Sequence, residues 1–151
     1  MHDLVGTWQL VDWTFQVDGD KTYRPFNGDA EGLLTYTADG RMWATLMKRN
    51  RKNTKTQTLS AASVAERARI AAGFQSYAGS YRIEGNTVIH EVDVSLLPNW
   101  VGGEQLRYID WIPSDEGHAH LQLSTPHEPT DGGRTAVNTL RWRRIGSNRN
   151  S

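Results

Sequence analysis

Residues 88–111, VIHEVDVSLLPNWVGGEQLRYIDW, set an imidazole, a guanidinium and two amides (His90, Arg107, Asn99 and Gln105) among apolar neighbours. Each type has a defined chemical use. Histidine is the side chain whose ordinary pKa lies nearest neutrality, so His90 is a candidate general acid or base. A guanidinium offers a permanent charge and a planar fork of N–H donors, suited to a carboxylate or to a developing enolate or phenolate; Arg107 is the candidate for that role. Phenols in the preceding segment, Tyr77 and Tyr81, could add O–H donors, and Tyr81 or Asn99 would orient a substrate. Together these groups fit cofactor-free isomerisation, cyclisation, elimination or hydration.

Alternation along strands decides which of them share a space. In TVIHEVDV (87–94), His90 shares a face with Val88, Val92 and Val94, whereas Glu91 and Asp93 lie with Ile89 on the other. The acidic face is the solvent side, so His90 is expected inside. In EQLRYIDWI (104–112), Gln105, Arg107, Ile109 and Trp111 share one face. If that face is interior, Arg107 lies beside His90, and no acid on either strand shares its side. An unpaired interior guanidinium is costly, so an anionic ligand group is a natural partner for it. Tyr36, Trp43 and Met47 are expected as apolar wall, and PNWVGG as a rim with Trp100 as wall or gate.

The elements that must hold these residues are mostly strands. Segments rich in β-branched and aromatic residues span 4–17, 33–37, 41–47, 74–83, 87–94, 104–112, 118–125 and 135–145, separated by DGDK, ADG, EGN and PSDEG turn clusters. The helix expected is SAASVAERARIAAGF (60–74), with Ser63 and Glu66 as a capping box and Val64, Ala68, Ala71 and Ala72 as a weak apolar face. The tail GSNRNS (146–151) is expected to fray. Eight short, evenly spaced strands indicate a sandwich or an up-and-down barrel, and eight strands make a barrel just wide enough for one small ligand.

Composition narrows the function classes. The 151 residues suit a single domain with its own core. With no cysteine there is no disulfide or thiolate chemistry, which is compatible with a reducing compartment, and a cytoplasmic location is expected. The start, MHDLVGTWQL, lacks a basic region followed by a long apolar run, so no secretory signal is expected. Zero net charge gives no global pull toward nucleic acid, and no apolar stretch reaches the length of a membrane span. The basic run KRNRKNTK (48–55) reads as a solvated loop. His118 and His120 in HAH share a face, but a metal site would need further ligands, with His127 or Asp115 swinging in, and no metal is expected. No cofactor is expected either, since nucleophile-elbow and dinucleotide fingerprints are missing.

GTW (Gly6, Thr7, Trp8) in the first strand and LRWRR in the last resemble the Gly-x-Trp and the late basic residue of lipocalins, where a cation packs over the tryptophan and seals one barrel end. Arg141 and Arg143 are the candidate cations. The longer pattern LVGTWQLV, GLLTYTADGRMWATLM, YAGSYRIEGNTVIHEVDVSLLPNWVGGEQLRYI and LSTP resembles the small stand-alone lipocalin-like domain family over roughly residues 4–144. The resemblance implies an all-β, eight-stranded antiparallel up-and-down barrel with an internal cavity and one short α-helix. The expected partner is a small, mostly apolar organic molecule with a polar or anionic group, with no nucleic acid or membrane; a homodimer is compatible with the sequence. Two rivals to an enzyme stand beside it: a non-catalytic carrier using the same cavity, and a barrel filled by inward Trp43 and Trp111.

Overall fold

The computed structural model describes residues 2–146. Its strands are β1 (Gly6–Val17), β2 (Thr22–Tyr23), β3 (Ala30–Tyr36), β4 (Arg41–Lys48), β5 (Phe74–Glu84), β6 (Thr87–Ser95), β7 (Glu104–Ile112), β8 (His120–Ser124), β9 (Glu128–Pro129) and β10 (Thr135–Ile145). Eight of them follow in the order β1-β3-β4-β5-β6-β7-β8-β10, and β10 pairs back onto β1. The sheet is thereby a closed antiparallel barrel with no free edge among its long strands. The two-residue strands β2 and β9 are appended to β1 and β10. Most of the expected tail, 147–151, lies outside the described residues. Among those residues no helix is long and apolar enough to cross a membrane.

The helix α1 (Val64–Ala72) begins where expected: the Ser63 hydroxyl accepts from the Glu66 N–H at 3.1 Å. Only that half of the capping box forms, because the Glu66 carboxylate instead accepts from the Lys55 N–H. The expected apolar face does not pack. Val64 is 74% exposed and α1 has no buried residue, so the alanine-rich face is too thin to bind the helix to the barrel by burial.

Inward positions follow alternation until a bulge resets it. On β3 and β4, Leu34, Tyr36, Met42, Ala44 and Leu46 are buried. Trp43 is therefore on the outside, 46% exposed, and Met47 lies beside an outer groove with Gln9 and Glu31, so neither forms the inner wall expected of it. The segment RMWATLMK is apolar on both faces, and alternation could not choose between them. On β6 the register shifts opposite Ala78/Gly79. The extra residue turns Val94 outward, 61% exposed, whereas Val88, His90 and Val92 stay inside. Gly79 makes this possible: a Cβ there would sit 1.8 Å from the Glu91 carbonyl oxygen. A second bulge, between Leu10 and Asp12, switches the inward set of β1 from Trp8 and Leu10 to Trp13.

The cation over Trp8 is Arg144, not Arg141 or Arg143. Trp8 and Arg144 are direct cross-strand partners, and the guanidinium lies 4.2 Å from the ring centroid. Arg144 also donates to Val5 O (2.6 Å) and Asp3 O (2.5 Å). Gly6 leaves it room, since a Cβ there would meet the guanidinium at 2.3 Å. Trp8 itself is 1% exposed and donates from Nε1 to Leu4 O at 2.9 Å.

Arg144→Met keeps an apolar stem but removes the charge and its two hydrogen bonds, and is expected to cost about 2 kcal/mol. Gly79→Ala forces backbone apart at the bulge and is expected to cost at least ~2 kcal/mol. Both are read as a lowered urea midpoint at unchanged slope.

Candidate functional site

The two ends of the barrel differ. At one end, the start of β1, the end of β7 and the end of β10 bring Trp8, Trp111 and Arg144 into contact. Toward the other, the inward side chains leave a cavity of about 220 Å³. Its wall is mostly apolar, with Trp13, Leu34, Ala44, Leu46, Trp100, Leu123, Leu140 and Trp142. The polar groups set into it are Gln75, Tyr77, His90, Arg107, Thr125, Glu128 and Asn138. Apolar lining with a few convergent polar groups is the usual composition of a small-molecule site.

His90 is the centre of the polar cluster. It is 1% exposed, and both ring nitrogens are occupied: Nε2 by the Tyr36 hydroxyl and Nδ1 by the Tyr77 hydroxyl, each at 2.7 Å. Tyr36 comes from β3, Tyr77 from β5 and His90 from β6, so the Tyr36–His90 bond crosses the lumen instead of following one pair of strands. Burial, and secondarily the Arg107 charge, push the imidazole pKa down to about 3. Burial likewise raises both phenols, with the Arg107 charge opposing the rise at each. All three rings are therefore neutral near pH 7. Both imidazole nitrogens are thus bonded to phenols, and of the two phenols Tyr77 is the one that lines the cavity.

Arg107 stands on β7, one strand beyond His90, and lines the cavity. Its protein partners among the described residues are Leu106 O (2.9 Å) and Gln105 Oε1 (3.3 Å). The remaining N–H donors of the five-donor fork are left for water or ligand. Gln105, which shares a strand face with Arg107 and is a candidate ligand contact on that account, instead accepts from Arg107. Glu128 is a cavity carboxylate that alternation could not find. It lies on the short strand β9, near the start of β10, and its charge is felt at Tyr77. The cavity thus carries one fixed positive group and one acidic group.

The other expected residues divide. Tyr77 and Trp100 line the cavity, and their rings meet edge-on at 5.3 Å. Tyr36 is buried behind the wall, tied to His90. Tyr81 packs edge-on against Tyr36 and donates to Thr37 O at 2.8 Å, and it is not part of the cavity wall. Its hydroxyl is spent on a turn at the Trp8 end. Trp111 stacks near Trp8 and His2 at that end, outside the cavity. Asn99 is exposed on the Pro98–Trp100 turn and does not line it. Among residues missed from sequence, Trp13 donates to Asn138 Oδ1 at 2.9 Å, which leaves the Asn138 amide N–H₂ as a donor at the wall. The signal for Trp13 was hidden by the bulge in β1. Among the described residues no group of three His, Asp or Glu is placed to hold a metal ion; His120 instead meets Glu116 at 3.3 Å.

Comparison with known proteins agrees with this architecture. The model of a lipocalin-like domain family matches residues 5–145. No match is found among the curated proteins. Among solved structures, an uncharacterized protein from Bacteroides eggerthii DSM 20697 is similar at 13% identity and a TM-score of 0.45, over 95% of this chain and 100% of that one. A likeness at that level says nothing of function. The family match spans nearly the whole sequence, and the chain belongs to the lipocalin-like domain family.

The depressed His90 pKa has a stability consequence with a definite sign. As pH falls below the usual histidine value of 6.5, the unfolded chain takes up a proton that the folded protein refuses until about pH 3. The contribution of His90 to stability is full above that range and is lost progressively across it. Between pH 6.5 and 4.5 the loss is expected to be about 2–3 kcal/mol, at roughly 1.4 kcal/mol per pH unit. Urea unfolding across this window should show it, and a His90→Gln protein should have a distinctly flatter pH dependence.

Proposed function

We propose, from membership of the lipocalin-like domain family and the makeup of the cavity, that this protein binds a small, mostly apolar organic molecule bearing one anionic or strongly polar oxygen. The observation that carries this reading is Arg107: a guanidinium on a mostly apolar wall, with only two protein hydrogen bonds among the described residues. Such a charge is costly without a partner, and a carboxylate, phenolate or enolate oxygen would satisfy it. Trp13, Trp100 and Trp142 supply flat apolar surface for the body of the ligand. A cavity of about 220 Å³ suits a molecule of one or two fused rings.

A second reading adds turnover. Neutral Tyr36, His90 and Tyr77 form a hydrogen-bonded chain beside a cation. That arrangement can hold a proton near a developing enolate and stabilise it, as cofactor-independent isomerases, cyclases, lyases and hydratases require. On the carrier reading the same groups only bind.

Titration of the tryptophan fluorescence with 2-naphthoate tests the first reading. Saturable binding is expected, weakened about tenfold or more in Arg107→Met, since a charge-assisted hydrogen bond contributes about 1.5–3 kcal/mol. Neutral 2-naphthalenemethanol should be much less affected by that change. Equal losses for both would leave Arg107 as packing only. Turnover is tested with 2-tetralone in D₂O: catalysed exchange of the enolisable protons supports acid–base chemistry, and exchange at the solvent rate supports a carrier.

A further inference from the structure

We propose that the hydrogen-bond chain through His90 has a fixed direction, Tyr36 to His90 to Tyr77, and that the Tyr77 hydroxyl is the donor presented to the ligand oxygen. The proposal rests on the binding reading above and names the protein group, besides Arg107, that recognises the ligand.

The direction follows from counting donors and acceptors. A neutral imidazole has one N–H and one bare nitrogen, so of the two tyrosines one donates to it and the other accepts from it. The two bonds have equal length, 2.7 Å, and do not distinguish the alternatives. The surroundings of the tyrosines do. Tyr36 is 1% exposed, does not line the cavity, and has His90 Nε2 as its one hydrogen-bond partner among the described residues. Were it to accept from Nε2–H, its own O–H would be stranded in an apolar core beside the Tyr81 ring, an arrangement folded proteins avoid. Tyr36 therefore donates to Nε2, and the imidazole proton sits on Nδ1. Nδ1–H in turn donates to the Tyr77 oxygen. The Tyr77 proton cannot point back at the ring, and Tyr77, unlike Tyr36, lines the cavity.

The resting site is thereby set to donate. An acceptor oxygen between Tyr77 and Arg107 would meet an O–H and N–H donors together. A ligand offering only donors would leave the Tyr77 O–H without an acceptor, because reversing the chain to turn it back on His90 would strand Tyr36. The favoured class is thus a carboxylate, enolate, phenolate or carbonyl compound, whose oxygen would pair with the Tyr77 O–H and the Arg107 N–H donors at once. Tyr36 and His90 are positioning residues in this scheme. Tyr77 is the one that touches the ligand.

Long-range proton–nitrogen NMR on the ligand-free protein with ¹⁵N-labelled histidine decides the direction. The proposal requires His90 in the Nδ1–H form, with a protonated-type shift at Nδ1 and a bare-type shift at Nε2. The Nε2–H form, or shifts averaged between the two, would overturn it. In Tyr36→Phe the constraint is removed, and an Nε2–H population should emerge, an effect that mere loss of packing would not produce. Tyr77→Phe is expected to bind 2-naphthoate about tenfold more weakly, the equivalent of one hydrogen bond. Undiminished affinity in that variant would count against Tyr77 as the donor. If the wild-type protein does not bind 2-naphthoate, the ligand class falls, and the spectrum still decides the direction of the chain.

Discussion

Burying an imidazole imposes a strict condition: its one donor and one acceptor must both be paired, or the fold loses what it gains from closing around it. Here His90 meets the condition through two phenols, one on β3 and one on β5, which reach it from separate parts of the barrel wall. Much of the interior follows from that. The Tyr36–His90 bond fixes where β3 and β6 stand across the lumen. Gly79 and the adjoining bulge let β5 and β6 approach closely, so that Tyr77 as well as His90 faces inward. The space left above these rings, between Trp13, Trp100 and Trp142, is the cavity.

The barrel is asymmetric for a physical reason. At one end Arg144 covers Trp8 and ties the segment preceding β1 to the end of β10 through Val5 and Asp3 carbonyls. Tyr81 and Trp111, which carry polar atoms and could have served a ligand, are used there as structure. The other end presents a cation, a carboxylate and a phenol on an apolar wall, the composition of a binding site.

Much of this was legible in the sequence because alternation is a strong signal where one face is acidic. Glu91 and Asp93 marked the outside of β6 and so placed His90 within, and turn clusters bounded nearly every long strand. Legibility failed in three physical situations. RMWATLMK carries apolar residues on both faces, so alternation alone does not tell Trp43 from Ala44 and Leu46, which form the wall. Bulges in β1 and β6 reset the phase, which hid Trp13 and turned Val94 outward. Finally, Glu128 and the choice of Arg144 over its neighbours depend on register between strands far apart in sequence, which no local pattern encodes.

A crystal structure of the protein grown with 2-naphthoate would test the placement of charge and apolar surface most directly. The ring system should lie among Trp13, Trp100 and Trp142, with its carboxylate within hydrogen-bond distance of both the Arg107 guanidinium and the Tyr77 hydroxyl. An empty cavity at saturating ligand, or a carboxylate turned away from Arg107 into solvent, would contradict the assignment of this cavity as a site for an apolar acid.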